Sequence, residues 1–204
     1  MPSFTLLGPT VLRLPFIVYT SYPHEIVHNW WGNGVFVDYQ SGNWSEGLTA
    51  YLSDHLLREL RGEGASYRRD ALQKYRNYVD VAEDFALTDF ISRHGDVSEA
   101  VGYNKTTMLF HMLRQRLGDE QFVNGLRELY RAHRFTRTSF TDVAAAFERV
   151  SGQPLTAFFD QWTRRIGAPQ ITLGNVHVTA EPGGSYSLQG ELSQQQPGEP
   201  FSLA

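Results

Sequence analysis

The chain has 204 residues, of which 41% are hydrophobic and 20% are charged. These fractions are typical of a soluble globular protein, and the length suits one domain of ordinary size. A formal net charge of −4 gives no reason to expect nucleic acid or an acidic membrane surface as a partner. The absence of cysteine excludes disulfide bonds and thiolate metal sites, but it leaves the cellular compartment open.

The N-terminal segment, residues 1–19, contains many apolar side chains, but Gly8, Pro9, Arg13 and Pro15 interrupt them. These interruptions are too frequent for the core of a signal peptide or for a membrane span. The segment is therefore predicted to form one or two short buried strands. No other part of the sequence predicts a transmembrane helix.

A helix predicted from about Ser21 to Gly32 carries two histidines, His24 and His28. Residues four apart lie one above the other on a helix, so both imidazoles can reach a single ion. Glu25 lies one position along, beside that ion. This is the H-E-x-x-H arrangement of zinc peptidases. The alternative interpretation is a surface helix with two solvated histidines.

A zinc ion that catalyses hydrolysis needs a third protein ligand and an open position for water. The candidate ligand is Glu46, in the first turn of a second helix that is predicted to end at Gly62. The helix dipole also favours a carboxylate there, which is the alternative explanation for Glu46. Thr49, on the same face, is expected either to hydrogen-bond to a ligand or to be exposed. The other five histidines lack ligand spacing and are predicted to be core or surface residues.

The rest of the chain is predicted to be mainly α, as a helical array with short connections. Apolar spacing of three and four predicts helices over residues 66–81, 97–117, 119–133, 139–151 and 154–166. After Pro169 the alternation of apolar residues predicts a β-hairpin with its turn at residues 181–184. We therefore expect a domain over residues 1–169 and the start of an incomplete, truncated β-type module over residues 170–204. That module is expected to pack on the helices, to self-associate or to fray.

Three motifs in the sequence carry these candidate residues. They are His24-Glu25-x-x-His28-x-Trp30-Trp31-Gly32-Asn33, Trp44-x-Glu46-Gly47 and Gly102-Tyr103-Asn104-Lys105. Together they resemble the motifs of the aminopeptidase N-type gluzincins, which are zinc metallopeptidases with a thermolysin-like catalytic domain. The resemblance covers about residues 20–170, and the Tyr-x-Lys motif follows Glu46 by some sixty residues, as in that family.

The resemblance implies a peptide substrate, one Zn²⁺ per chain and zinc-dependent hydrolysis, with aminopeptidase activity as the expected specificity. It implies that His24, His28 and Glu46 hold the metal. It also implies that Glu25 takes a proton from water, and that Tyr103 donates a hydrogen bond to the oxyanion. An ordinary core tyrosine is the alternative for Tyr103.

The sequence departs from that family at three places. The segment between His28 and Glu46 has 17 residues, one fewer than usual. A deletion in the loop would leave Glu46 in place, whereas a shift within the helix would rotate it by about 100°. Thr106 stands where the family has glycine. The Gly-x-Met-Glu-Asn strand, whose glutamate binds the substrate's amino group, is absent from residues 1–21.

These departures leave other interpretations open. The chain is expected to be a fragment of a longer protein, and it could be a non-catalytic helical interaction domain or an inactive fragment that retains the zinc site. The glycyl aminopeptidases, which share the two-histidine motif and a distant Glu-Gly pair, are a third possibility. The Trp-Trp-Gly-Asn flank favours the aminopeptidase N type.

Overall fold

The computed structural model describes residues 5–203. The chain divides into two compact units, the first ending at Ile166 and the second beginning at Gly167. The first unit is built mainly from helices, which confirms the predicted mainly-α class. Within residues 5–203, no helix has the length and apolar character needed to cross a membrane.

Two of the long helices in the first unit contain a wider, π-helical turn. One such turn lies at Tyr51–His55 and the other at Ala100–Lys105. Two short strands, β1 (Phe36–Val37) and β2 (Arg137–Thr138), pair in parallel. The helices are α1 (Ser21–Val27), α2 (Trp44–Ala50), α3 (Leu56–Glu59), α4 (Gly64–Tyr78), α5 (Asp96–Glu99), α6 (Thr106–Leu117), α7 (Asp119–His133), α8 (Phe140–Ser151) and α9 (Thr156–Thr163).

The N-terminal segment differs from the predicted strands. Residues 1–4 lie outside the described part, and residues 5–19 contain only short 3₁₀ turns at Val11–Arg13 and Ile17–Tyr19. Backbone hydrogen bonds here are local, such as the one from Leu14 N–H to the Val11 carbonyl. Frequent prolines remove the N–H donors that a β-ladder needs. The segment is also largely exposed, so the prediction of buried strands was wrong for the residues described.

The helix α2 packs against the start of α6 through a close backbone approach at Gly47. A Cβ atom added to Gly47 would lie 2.2 Å from Cβ of Thr106. The Thr107 hydroxyl donates a hydrogen bond to the Gly47 carbonyl at 3.2 Å, and Trp44 beside it is fully buried. Glycine is therefore required at this point for the two helices to meet.

A buried polar network surrounds His55, the last residue of the π-helical turn Tyr51–His55. His55 is fully buried and stacks on Tyr51 with ring centroids 4.8 Å apart. The Arg68 guanidinium donates a hydrogen bond to His55 Nε2 at 2.8 Å. His111 lies 5.5 Å from His55 between ring centroids, and its Nδ1 is 3.3 Å from the Tyr51 hydroxyl. His55 is thus part of the core, and His111 is partly buried beside it.

The second unit contains the predicted hairpin. Strands β3 (Ile171–Ala180) and β4 (Tyr186–Gln194) pair antiparallel, with an irregularity between Gly174 and His177. The turn has Gly183 at φ 93° and Gly184 at φ 82°, a conformation that glycine adopts without steric cost.

The close contact at Gly47 predicts a large cost for a single methyl group. We expect Gly47→Ala to lower the free energy of unfolding of the metal-free protein by about 1–3 kcal/mol, because the added Cβ overlaps Thr106. Urea denaturation measures this effect. Gly95→Ala is the matched control, since a Cβ there meets no atom within 4 Å. If the clash is the cause, adding Thr106→Gly to Gly47→Ala should cost less than the sum of the single changes.

The partly buried histidine His111 predicts a loss of stability in mild acid. Desolvation, with a contribution from Arg68, lowers its pKa to about 4. Between about pH 6.5 and pH 4 the unfolded chain therefore binds a proton that the folded protein does not, so stability falls as the pH drops. Because solvent screens this partly exposed site, we expect a loss on the order of 1–2 kcal/mol across this window, measured by urea denaturation at each pH.

The pH dependence of stability is expected to be shallower in His111→Gln, which cannot titrate. His94→Gln, at an exposed loop position, is the control and should keep the wild-type slope. An unchanged slope in His111→Gln would contradict this explanation.

Candidate metal centre

The helix α1 brings the two motif histidines together at its C-terminal end. The ring centroids of His24 and His28 are 4.8 Å apart, and their Nε2 atoms are 3.1 Å apart. His28 directly follows the last residue of α1 and still has helical backbone angles, φ −60° and ψ −18°. The spacing of four residues therefore places both imidazoles on one side, as expected for a helix.

The third predicted ligand, Glu46, reaches the same point from the first turn of α2. Its Oε2 atom lies 3.2 Å from His28 Nε2 and 3.4 Å from His24 Nε2. The Asn43 side chain accepts a hydrogen bond from the Ser45 N–H and so fixes where this helix begins. The segment that is one residue shorter than usual thus leaves Glu46 beside the histidines.

The three side chains fit a zinc ion in both geometry and chemistry. Their ligand atoms form a triangle with edges of 3.1, 3.2 and 3.4 Å. Ligands about 2.1 Å from an ion at tetrahedral angles are about 3.4 Å from one another. Two imidazoles and one carboxylate are also a donor set that zinc accepts, with a fourth position left for water. Among the described residues, this is the group of potential ligands that could hold a metal ion.

The outer nitrogen of each imidazole has its own hydrogen-bond partner. His24 Nδ1 lies 2.9 Å from Asp54 Oδ2, and His28 Nδ1 lies 2.8 Å from the Trp31 carbonyl oxygen. An acceptor at Nδ1 favours the tautomer with its proton there, which directs the lone pair of Nε2 towards the metal position. Thr49 is buried with its hydroxyl 3.3 Å from His28 Nδ1, so it is not the exposed residue of the alternative expectation.

His24 and Glu46 strongly affect each other's protonation. Burial lowers the pKa of His24, but hydrogen bonds to Asp54 and Glu46 outweigh this effect and raise it to about 9. Burial raises the pKa of Glu46, yet its hydrogen bonds with His24 and His28 hold it well below its usual range. In the metal-free protein the cluster therefore holds a carboxylate next to a protonated imidazole.

Glu25 and Tyr103 lie on the same cleft as His24, which has a volume of about 470 Å³. Tyr103 belongs to the π-helical turn Ala100–Lys105, and its ring stacks 6.3 Å from that of His24. Burial and the negative charge of Glu46, to which its hydroxyl donates a hydrogen bond, raise the pKa of Tyr103 well above its usual value. The hydroxyl is therefore a proton-bearing donor at neutral pH.

Gly102 permits this placement of Tyr103. A Cβ at Gly102 would lie 2.2 Å from the ring of Phe90. Phe90 in turn contacts Tyr103 edge-on, with ring centroids 5.8 Å apart. The glycine before the tyrosine thus lets the helix approach close enough for Tyr103 to border the cleft.

Comparison with known proteins identifies the group to which this arrangement belongs. The sequence model of the peptidase family M1 domain matches residues 18–162, which is more than half of the chain. The chain belongs to peptidase family M1. It is 26% identical over 168 residues to Aminopeptidase 2 of Candida albicans, covering 76% of this chain and 18% of that protein. It is 27% identical over 163 residues to Aminopeptidase N of Lactococcus lactis, covering 73% and 19%.

The M1 chain thus spans less than a fifth of the length of these two curated relatives. Among solved structures it resembles a mutant M1 zinc metallopeptidase from Deinococcus radiodurans bound to a Tyr-Ser-Ala substrate. The TM-score is 0.64 at 20% identity, covering 83% of this chain and 39% of that one. At this identity the likeness supports the fold, which agrees with the predicted catalytic-domain class.

Asp54 was not predicted as a site residue from the sequence, although its side chain contacts His24 directly. In an α-helix, residues eight apart differ by about 80° around the axis, so Asp54 would not share a face with Glu46. The wider turn at Tyr51–His55 reduces the rotation per residue and brings Asp54 towards His24. The available signal was an acidic residue about two turns after Glu46, but the sequence did not indicate the π-helical turn that brings it to His24.

Asp54 is expected to strengthen metal binding through its contact with His24. We predict that Asp54→Ala weakens zinc affinity by about 10–100-fold, because His24 loses the acceptor that orients it. Competition with a chelator of known affinity measures the change. Asp70→Ala removes another carboxylate of the same cleft and should have a much smaller effect. Equal losses in both variants would mean that the charge of the cleft, and not ligand orientation, is responsible.

Proposed function

We propose that this chain carries the zinc centre and hydrolytic residues of an M1 metallopeptidase and cleaves peptide bonds, with aminopeptidase activity as its specificity. The convergence of His24 Nε2, His28 Nε2 and Glu46 Oε2 within 3.4 Å is the observation that carries this proposal. Relatives named aminopeptidases support the specificity. Because the chain spans under a fifth of their length, the activity of the whole protein is part of the proposal.

In this proposal one Zn²⁺ per chain is held by His24, His28 and Glu46, and Asp54 and the Trp31 carbonyl keep the two imidazoles in the ligating tautomer. Bound zinc supplies Lewis acidity, which polarises the scissile carbonyl and lowers the pKa of a water molecule towards about 7.

Glu25 acts as the general base. It follows His24 on α1, so it lies beside the metal position and outside the ligand triangle, and it borders the cleft in which a peptide would lie. Its carboxylate takes the proton of the attacking water and passes it to the leaving amine as the C–N bond breaks. A positioned general base of this kind contributes roughly 10²–10⁴-fold to the rate.

Tyr103 donates a hydrogen bond to the oxyanion that develops on the substrate. Burial and the charge of Glu46 raise its pKa, so the hydroxyl keeps its proton at neutral pH. The stacking of its ring on His24 and the edge contact with Phe90 hold the donor in place. One preorganised donor contributes about 10²–10³-fold in comparable enzymes.

The domain assignment is part of the same proposal. Residues 1–169 form the catalytic domain, and residues 170–204 form the start of a β-type module. The compact unit that ends at Ile166 and the exposed hairpin after it support this division.

The central test removes only the general base. We expect Glu25→Gln to lower kcat for an aminoacyl p-nitroanilide by about 10²–10⁴-fold while zinc content stays near one equivalent, because the amide cannot accept the proton. Product release and metal analysis of the same samples measure both quantities. Glu83→Gln, an exposed carboxylate on a loop, is the control and should behave as wild type.

Two outcomes would contradict the proposal in different ways. Full activity in Glu25→Gln would remove Glu25 from the mechanism. Wild-type protein that binds one equivalent of zinc yet hydrolyses no peptide would favour the alternative of a non-catalytic domain that retains the metal site.

A further inference from the structure

A pair of cations lies on the same cleft as the candidate metal centre. The residues that border the cleft include His24, Glu25 and Tyr103, and also Lys74 and Arg93. A second cavity of about 340 Å³ is lined by Lys74 and Arg93 too, so the two basic side chains separate adjoining spaces. A peptide at the metal centre can therefore reach these cations without leaving the cleft.

A single carboxylate, that of Glu99, holds both cations. Arg93 Nη2 lies 2.6 Å from Glu99 Oε2, and Lys74 Nζ lies 2.8 Å from Glu99 Oε1. The side chain of Glu99 is mostly buried, whereas those of Lys74 and Arg93 are about half exposed. Two positive charges thus share one carboxylate. Asp96 lines the second cavity beside them, and Asp70 borders the first cleft, so further negative charge lies nearby.

Each cation has donors to spare for a second anion. A guanidinium has five N–H donors and an ammonium has three, and Glu99 has only two oxygens to accept them. The shared contact also fixes the position of both side chains, which reduces the entropy lost when another carboxylate binds. The two cations therefore have N–H donors that Glu99 does not use.

The charges around this cluster favour Arg93 as its main contact. The Arg93 guanidinium is close enough to Tyr103 to oppose the rise in the pKa of that phenol. Lys74 is partly offset by Asp70, which lies one helical turn earlier on α4 and borders the same cleft. Arg58, another basic residue of the cleft, is paired with Glu63.

We propose that Arg93, assisted by Lys74, binds a carboxylate of the peptide substrate and so makes the enzyme favour substrates with that group within reach of the scissile bond. The proposal rests on the peptidase function proposed above. The carboxylate belongs either to the C-terminus of a short peptide or to an acidic side chain. Both sources present the same planar anion, which a guanidinium binds through two parallel hydrogen bonds.

Matched pairs of substrates distinguish a C-terminal carboxylate from an acidic side chain. Ala-Ala against Ala-Ala amide tests the C-terminal carboxylate, and Ala-Glu amide against Ala-Gln amide tests a side chain on the second residue. Glu-Ala amide against Gln-Ala amide tests the first residue. In wild type we expect one pair to show about tenfold higher kcat/KM for the carboxylate form, mainly through KM, since a charge-assisted hydrogen bond is lost in the neutral form.

The variants identify the binding group. Arg93→Gln should bring that ratio close to one, and Lys74→Gln should lower it partly. Arg93→Lys should keep only part of it, because the charge remains but the two parallel hydrogen bonds of the guanidinium are lost. Arg76→Gln is the matched control, an exposed arginine on α4 close to Lys74 in sequence. A carboxylate bound by the metal alone would keep its preference in Arg93→Gln, and that result would overturn the proposal. Equal turnover of both members in every pair would also overturn it.

A binding measurement keeps this inference separate from catalysis. Zinc-loaded Glu25→Gln protein is titrated with the same pairs by calorimetry, with and without Arg93→Gln. If wild type hydrolyses none of the peptides, the proposed function fails, and the titration still decides the inference. Tighter binding of the carboxylate form that disappears with Arg93→Gln supports it, whereas equal binding of both forms refutes it.

Discussion

Two imidazoles and a carboxylate held with their ligand atoms about 3 Å apart are the constraint on which the first unit depends. Such atoms all present lone pairs, so in the absence of a cation they repel one another. The raised pKa of His24 is the response of the metal-free protein, since a proton on His24 replaces part of the missing positive charge. Metal binding must displace that proton, so proton and metal compete for the same cluster. Asp54 favours both, because it accepts the hydrogen bond from His24 Nδ1 in either state.

The candidate ligand Glu46 and Tyr103 come near each other because the elements that carry them approach closely. Gly47 lets α2 touch the start of α6, and Gly102 lets the π-helical turn before α6 rest on Phe90. Thr106, which stands where the resembled motif has glycine, packs its side chain directly against Gly47. The absence of a side chain on α2 therefore accommodates the larger residue on α6. This contact joins the helix of Glu46 to the helix that continues from the turn of Tyr103, so core packing and site geometry depend on the same few atoms.

The sequence was sufficient where chemistry and periodicity coincide. A four-residue spacing and a capped helix start determine where His24, His28 and Glu46 lie, and the structure brings their ligand atoms together. The sequence was insufficient where tertiary contacts decide the local conformation. Apolar content predicted strands before α1, yet that segment forms local turns because its prolines remove ladder donors. Asp54 was not predicted because a π-helical turn changes the position of every later residue around the helix axis, and no side-chain pattern in the sequence predicts such a turn.

The cleft is lined by groups of both charges. Glu25 and Asp54 border it together with His24, and Lys74 and Arg93, which share Glu99, border it as well. A short peptide has the complementary property, since its two termini carry opposite charges at neutral pH. Residues 1–21 contain no glutamate, so they cannot supply the family's contact to the substrate's amino group. The proposed recognition of a substrate carboxylate would come from this unit's own residues, because Lys74 on α4, Glu99 on α5 and Arg93 in the loop before α5 all line its cleft.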